Sequence, residues 1–590
     1  MSMINQFTTL SPKFRIFYGI VLVLIGCSLL IRGYLLANKW LGPDETQHLH
    51  ATWAVTQGQL PYRDFWENHT PLLYYCLSPL ILLLDEGVQI IFIARGIMFL
   101  LVLAILYATY KIAKTCYGTQ VAILGVLLLT YMVTFTTMTI ETRPDIPITL
   151  LELISLYLFI KAFQSNVEMD AEVGVKENSK VLAQKFRQSP FIISGFCLGI
   201  AFLFSPKALF PFTALSIAFF IFRCLHRKIR IVLQHTKPWF FFCAAFCSPI
   251  LLCLVFFAIH GAHTDFIEWI FIHNFTYPDR FSPIQGMLRS ENIGGWVMII
   301  GGIFITVRDF MRQGAISITQ GTPLVSCLVM AFIYIFLMPA PYPQTQLLFL
   351  PLAAMYGGLF LKWIAEKALS PWNNPSSTAR PQVIYKFLYI GALTACFFIG
   401  IFMPFHSLLS KAKPFYKSNE RQLKVMEYVL KVTSPNDVVF DGTGLYVFRP
   451  HAYFYCNLVK GVRMLIKNET IPNDIPKNLI EKQCKIVIYD YRIRDLPDDI
   501  REFLRENYVK IMDGVYVAGK HLTEEDLFHQ PIRFRTFVPG IYTVKTEAEN
   551  VDVFIDGKPS REDTFLNPGN HTLTFEGNLD EVTLTLLLPK

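Results

Sequence analysis

The chain has 590 residues, of which 53% are hydrophobic and 14% aromatic but only 17% charged. That balance excludes a soluble globular chain of this length. The formal net charge of +8 would suggest a nucleic-acid partner in a soluble protein, but much of the Lys and Arg here lies in short loops between apolar runs. That is the positive-inside pattern of a polytopic membrane protein, so no nucleic acid is expected.

The first apolar run, 16–37, follows Lys13 and Arg15 and has no small-x-small cleavage site before the acidic segment after it, so it reads as a retained span. Apolar runs of about 17–25 residues, each able to cross a core of about 30 Å, continue to about Met403. The basic loops at Lys111 and Lys114, 161–187, 223–230, Arg308 and Arg312, and Lys362 and Lys367 can all be cytoplasmic in one way only. The spans are then 16–37, 88–110, 119–139, 146–163, 189–205, 208–223, 238–259, 293–307, 322–338, 346–364 and 384–404, about eleven in all. The run 70–84 is left out: it is short, contains Pro71 and Pro79, and reads as an interfacial or re-entrant segment. The loops 38–86, 141–145, 205–207, 260–292 and 339–346 and the tail then share the extracytoplasmic side. The unusual acidic and aromatic clusters all lie in them.

Beyond residue 404 the composition becomes ordinary. A helix over 419–432, strands over 437–440 and 485–489, a helix over 498–506 and a hairpin at Asp513-Gly514 predict a small α/β domain across 405–530. From 531 to 590 the pattern changes to short strands, with turns at Asp556-Gly557 and Asn567-Pro568-Gly569. This piece resembles a PEGA-type β module, which implies a non-catalytic role. Ten of the twelve cysteines lie in or beside apolar segments, where Cys acts as a small apolar residue. Cys456 and Cys484 lie in the tail, where one disulfide is compatible with an oxidising compartment.

The segment Gly42-Pro43-Asp44-Glu45-Thr46-Gln47 puts two adjacent carboxylates just outside the first span. A further acid, Asp145, opens the fourth span after Arg143 and Pro144, where the plain alternative is a helix start. Acids at the external ends of different spans suit a site in which one carboxylate deprotonates an acceptor and another orients it or a bound cation. Two carboxylates are also what glycoside hydrolysis uses; the membrane setting argues against it.

Gly42-Pro43-Asp44-Glu45, then Gly58-x-Leu60-Pro61-Tyr62-Arg63-Asp64-Phe65 and His69-x-Pro71-Leu72-Leu73-Tyr74, resemble the first external loop of the dolichyl-phosphate-mannose protein mannosyltransferase superfamily. These are transferases of the GT-C fold, related to the lipid A aminoarabinose transferases. Thr142-Arg143-Pro144-Asp145-x-Pro147 resembles their second acidic motif. The resemblance covers roughly 15–405 and implies a polytopic α-helical membrane enzyme using a polyprenyl-phosphate-linked sugar, with inversion at the sugar. Carried over, it implies Asp44 as general base or acceptor-orienting residue with Glu45 supporting it, and Asp145 as the second acid.

A lipid phosphate leaving group calls for cations at the external surface. Lys207, Arg143, Arg63 and Arg280 are the candidates, against a plain alternative of snorkelling to headgroups. Glu67, His69, Tyr62 and Tyr342 are candidates to contact acceptor or sugar, although an interfacial aromatic belt explains most external aromatics. The lipid A enzymes carry Glu-Lys-Pro-Pro near position 67, where this chain reads Glu67-Asn68-His69-Thr70-Pro71, and the missing lysine weakens the resemblance for that substrate. No metal site is assigned. A divalent cation near His48, His50 and His69 is compatible with the residue types, but no spacing such as HExxH occurs, and solvated loop histidines are the plainer reading. No glycine-rich phosphate loop or dinucleotide fingerprint is present.

The competing class is a lipid or polysaccharide transporter or flippase, which should show mid-span charges and repeated halves. Arg32, Arg95 and Glu152 are the exceptions to largely uncharged spans, no halves are evident, and the clustered external acids favour the transferase. The acceptor class stays open among protein, glycolipid and polysaccharide. The expected setting is a bacterial inner membrane with the tail extracytoplasmic.

Overall fold

A computed structural model describes residues 11–170, 177–226, 236–275, 282–288, 291–313, 317–369, 380–411, 418–528, 530–546, 551–560, 563–577 and 581–588. The main helices of the apolar region are α1 (Pro12–Asn38), α2 (Pro43–Thr56), α3 (Leu72–Leu83), α4 (Gln89–Tyr117), α5 (Thr119–Tyr131), α6 (Val133–Met138), α7 (Asp145–Asp170), α8 (Glu177–Phe204), α9 (Leu209–His226), α10 (Lys237–Ile259), α11 (Ile293–Gln313), α12 (Ile318–Phe332), α13 (Leu350–Leu369) and α14 (Arg380–Phe397).

Among the described residues seven helical stretches are long and apolar enough to cross a membrane: α1, α4, the Asp145–Phe163 part of α7, α10, Ile293–Arg312, Ile318–Leu337 and Ile384–Ser410. Three runs expected as spans form shorter apolar helices at Thr119–Tyr131, Ser189–Phe204 and Pro206–Phe222. The run 119–139 stops early because Met132 adopts an extended conformation, splitting α5 from α6. The run set aside as interfacial becomes α3, with 12 residues, too short to cross a core of about 30 Å at 1.5 Å per residue. Small residues let helices approach closely: a Cβ on Gly358 of α13 would lie 2.5 Å from the Gly125 amide of α5, as expected where apolar helices pack without a hydrophobic driving force between them.

The tail begins with α15 (Glu420–Val432) and continues through α16 (Lys460–Lys467), α17 (Ile475–Glu481) and α18 (Asp498–Asn507). Its strands are β1 (Val439–Asp441), β2 (Ile486–Ile488), β3 (Tyr508–Met512), β4 (Val515–Leu522), β5 (Ile532–Thr536), β6 (Gly540–Thr546), β7 (Asp552–Ile555), β8 (Lys558–Pro559), β9 (Asp563–Leu566), β10 (Gly569–Glu576) and β11 (Val582–Leu586). A seven-stranded sheet runs β1-β2-β4-β11-β6-β9 with β3 also on β4, and a four-stranded sheet runs β5-β10-β7-β8. β1 and β2 are parallel with Val439 opposite Ile486, while β11 returns antiparallel to β4 with Val582 opposite Leu522. The division expected at 530 therefore falls inside one continuous sheet, because the last strand is needed to complete it. Cys456 and Cys484 are both buried free thiols.

The tail is built onto the first loop. Trp66 N donates to Phe454 O at 2.9 Å, Thr46 Oγ1 to Thr443 O at 2.7 Å, and Arg449 Nη1 pairs with Glu86 at 2.7 Å. The tail thus meets α2 at Thr46 and the rest of the first loop at Trp66 and Glu86.

Candidate active site

Gly42-Pro43 starts α2, with Pro at the first helical position and Asp44 and Glu45 in the first turn, where the helix dipole favours negative charge. Consecutive helical residues point about 100° apart, so the two carboxylates separate. Asp44 lines a cavity of about 1070 Å³. Glu45 turns inward, where Arg95 holds it through Nε at 2.8 Å and Nη2 at 2.7 Å, and Thr142 N donates to it at 3.1 Å. Of the acids nearby, the Asp44 side chain is 27% exposed, against 0% for Glu45, 8% for Glu141 and 2% for Asp145. Among these four, Asp44 is the most open, and Glu141 is the other that lines the cavity.

Arg143 spans two acids, with Nη2 at 2.6 Å from Asp44 Oδ2 and Nε at 2.7 Å from Glu141 Oε2. Lys39 also pairs with Glu141. Gly42 packs tightly here: a Cβ at that position would lie 2.6 Å from Glu141 Oε2, so the carboxylate would have to shift. Lys207, from the short Ser205-Pro206-Lys207 turn, reaches Asp145 Oδ1 at 2.6 Å and lines the cavity. Burial by itself would raise the Asp44 carboxyl, but the charges of Arg143 and then Arg492 outweigh it and hold Asp44 below the usual carboxylate range. Burial likewise opposes ionisation of Glu141, and Lys39 and Arg143 overcome it, bringing the group to about 2.

Glu67 is fully buried and saturated: it accepts from both the backbone amide and Nδ1 of His69, from the Asn68 amide, and from Gln47 Nε2. Against the cost of burial, His69 and His48 lower it to about 2. His69 and Tyr342 line the cavity. Donor atoms of His48, Glu67 and His69 lie within 4.8 Å of one another, so these three could hold a divalent cation beside the site.

Other expected residues lie elsewhere. Tyr62 does not line the cavity; it sits at φ 74°, buried against Phe257 and Phe266, and its hydroxyl donates to His69 O at 2.7 Å. Arg63 is drawn away by Asp64 at 2.8 Å and by His260 O, and its side chain is 46% exposed outside the cavity. Arg280 lies outside the described residues.

The tail supplies residues that the linear sequence did not connect with the site: Val459, Lys460, Arg463, Tyr491 and Arg492 complete the cavity wall. Arg492 Nη2 is 3.8 Å from Asp44 Oδ1, and its Nη1 donates to Gly442 O at 3.0 Å. It follows β2, beyond the carboxyl ends of the parallel pair β1-β2, the usual ligand-binding end of parallel strands. At the opposite end the wall becomes apolar, with Leu209, Phe210 and Ile217 from α9 facing Leu328, Phe332 and Leu337. The cavity thus joins an apolar groove to a mouth carrying Arg143, Lys207, Lys460, Arg463 and Arg492 against Asp44 and Glu141.

The sequence profile of the dolichyl-phosphate-mannose-protein mannosyltransferase family matches residues 68–170. No curated protein sequence matches the chain. Among solved structures, ArnT from Cupriavidus metallidurans bound to undecaprenyl phosphate aligns with a TM-score of 0.55 at 13% identity, covering 85% of this chain and 98% of ArnT. The oligosaccharyltransferase of Archaeoglobus fulgidus aligns in its apo form with a TM-score of 0.52 at 12% identity, covering 83% and 72% respectively. The archaeal oligosaccharyltransferase AglB from Archaeoglobus fulgidus, in complex with an inhibitory peptide and a dolichol-phosphate, aligns at 0.51 with 12% identity, covering 85% of this chain and 74% of AglB. The chain is a polytopic membrane protein with the GT-C glycosyltransferase fold.

Proposed function

We propose that the chain is a membrane glycosyltransferase that moves a sugar from a polyprenyl-phosphate donor to an acceptor hydroxyl on the extracytoplasmic face of a bacterial inner membrane. The observation that carries this reading is the cavity's polarity: one apolar end suited to an isoprenoid chain, one cationic mouth suited to its phosphate, and Asp44, half-buried, lining that mouth. Solved relatives of this fold hold undecaprenyl phosphate or a dolichol-phosphate.

In the reaction the acceptor oxygen bonds to the anomeric carbon as the bond from that carbon to the phosphate oxygen breaks, with inversion. Asp44 takes the acceptor proton, and Arg143 and Lys207 stabilise the charge on the departing lipid phosphate. Glu45, Asp145 and Glu67 act through others: Glu45 fixes α2 through Arg95, Asp145 places Lys207, and Glu67 places His69 and Gln47.

The test is mass spectrometry of polyprenyl-phosphate lipids and glycoconjugates from cells carrying the native chain, Asp44→Asn or neither. Accumulation of one lipid-linked sugar with loss of one glycoconjugate in the variant is expected and names both substrates. Unchanged pools would refute the transferase reading.

A further inference from the structure

Where the tail meets α2 lies a second polar cluster, outside the cavity wall. His50 projects from α2, and His451 and Cys456 from the tail segment after β1. All three are buried, and one donor atom from each lies within 4.8 Å of the others. Thr46, His50 and Trp53 are spaced i, i+4, i+7, so they form the α2 face turned to the tail.

His50 Nδ1 is 2.9 Å from Val447 O. A carbonyl only accepts, so Nδ1 carries the proton and Nε2 presents a lone pair. That lone pair faces His451 Nδ1 at 3.3 Å, a long N–H···N hydrogen bond when His451 carries its proton there and a spacing that suits two ligands of one ion when it does not. Zinc bonded to imidazole at about 2.0–2.1 Å sets two nitrogens at tetrahedral corners roughly 3.3–3.4 Å apart. A carbonyl behind the distal nitrogen is also the arrangement that fixes a metal-ligating histidine. The His50 ring is held by Tyr446 at 4.5 Å and by stacking on Trp53 at 5.5 Å between centroids. Beside Cys456, Asn457 Nδ2 lies 3.5 Å from the sulfur and can donate to a thiolate, while the buried Asn457 Oδ1 has no hydrogen-bond partner among the described residues. Gly444, at φ +77°, is packed so closely that a Cβ there would lie 3.2 Å from Asn457 Oδ1 and 3.3 Å from His50 Cβ.

We propose that His50, His451 and Cys456 bind a zinc ion that fastens the tail to the helix carrying Asp44. Two imidazoles and a thiolate are a donor set for a borderline-soft divalent ion, with water or Asn457 Oδ1 as the fourth ligand. Binding releases the thiol proton to solvent. The site is independent of the transferase reading, because its ligands touch neither the cavity nor its contents.

The experiment measures metal on the full-length chain purified in detergent. Zinc retained through dialysis is expected at about one per chain, and Cys456→Ser and His451→Gln should each lower it about tenfold or more. Replacement with Co²⁺ should give a thiolate-to-cobalt charge-transfer absorption that Cys456→Ser abolishes. Should the variants not fold, the native chain decides, because a metal held by His48, Glu67 and His69 has no thiolate and gives no such band. A native chain that takes up no stoichiometric zinc, or a cobalt form without the band, overturns the proposal. So does zinc content unchanged in Cys456→Ser.

Discussion

Asp44 and Glu45 are neighbours in sequence with opposite surroundings, and exchanging each for its amide separates chemistry from architecture. In Asp44→Asn, Arg143 keeps Glu141 at 2.7 Å, so no buried cation is stranded. Stability should fall by less than in Glu45→Gln, because Arg143 keeps a carboxylate partner, while turnover falls by about 10²–10⁴ on loss of a general base. In Glu45→Gln, Arg95 remains fully buried with its Nη1 on Leu36 O and Lys39 O, but its carboxylate is gone. Stranding a buried charge costs about 3–5 kcal/mol, and the amide oxygen recovers one hydrogen bond, which places this variant toward the lower end. The assays are thermal unfolding in detergent and consumption of the lipid-linked sugar identified in cells. Loss of melting midpoint in Glu45→Gln, with substantial activity at low temperature, is the expected pattern. If Asp44→Asn turned over normally and Glu45→Gln were stable but inactive, the roles assigned from exposure would be reversed.

Lys207→Ala should raise KM for the donor about tenfold or more and also destabilise the fold, because it strands Asp145; adding Asp145→Asn should restore the melting midpoint but not donor affinity. Recovery of both would make Lys207 a structural partner only. For the free enzyme, kcat/KM should stay flat as pH falls to about 4, since Asp44 is held below the ordinary carboxylate range and stays ionised until pH drops through that lowered value. Arg492→Gln removes a cation 3.8 Å from Asp44 and should move the acid limb to higher pH; an unmoved limb would show that the tail does not reach the base. Glu67 and Glu141 are both lowered from 4.5 to about 2, so the stability they confer is complete above 4.5 and is lost as pH falls from 4.5 towards 2. Thermal unfolding across that window should show the decline, and Glu67→Gln should flatten it.

The apolar bundle was legible because hydrocarbon thickness fixes run length, and Asp44, Arg143 and Lys207 were legible because they interrupt apolar surroundings at loop positions. The separation of Asp44 from Glu45 was hidden by reading the segment as a loop; Pro43 behind Gly42 was the available sign that a helix begins there. Arg63 looked like a phosphate ligand, but Asp64 beside it offers a nearer partner. Lys460, Arg463 and Arg492 had no local signal. They reach the site because β1 and β2, 45 residues apart along the chain, pair in parallel and direct the following loops toward α2, and pairing between distant strands is invisible to periodicity.

The same ion pairs that make the site legible make Asp44 a poor base at rest. A carboxylate 2.6 Å from Arg143, with Arg492 nearby, has its basicity suppressed. Arg143 is already shared with Glu141, and the cavity mouth carries more cations than acids. A donor phosphate entering there competes for the guanidinium, weakens its hold on Asp44 and raises the basicity of that carboxylate once the sugar is in place. If Asp44 is the base, donor binding then switches on acceptor deprotonation. Glu141, itself held by Lys39, anchors the far side of Arg143, so the guanidinium can yield one partner without leaving the site.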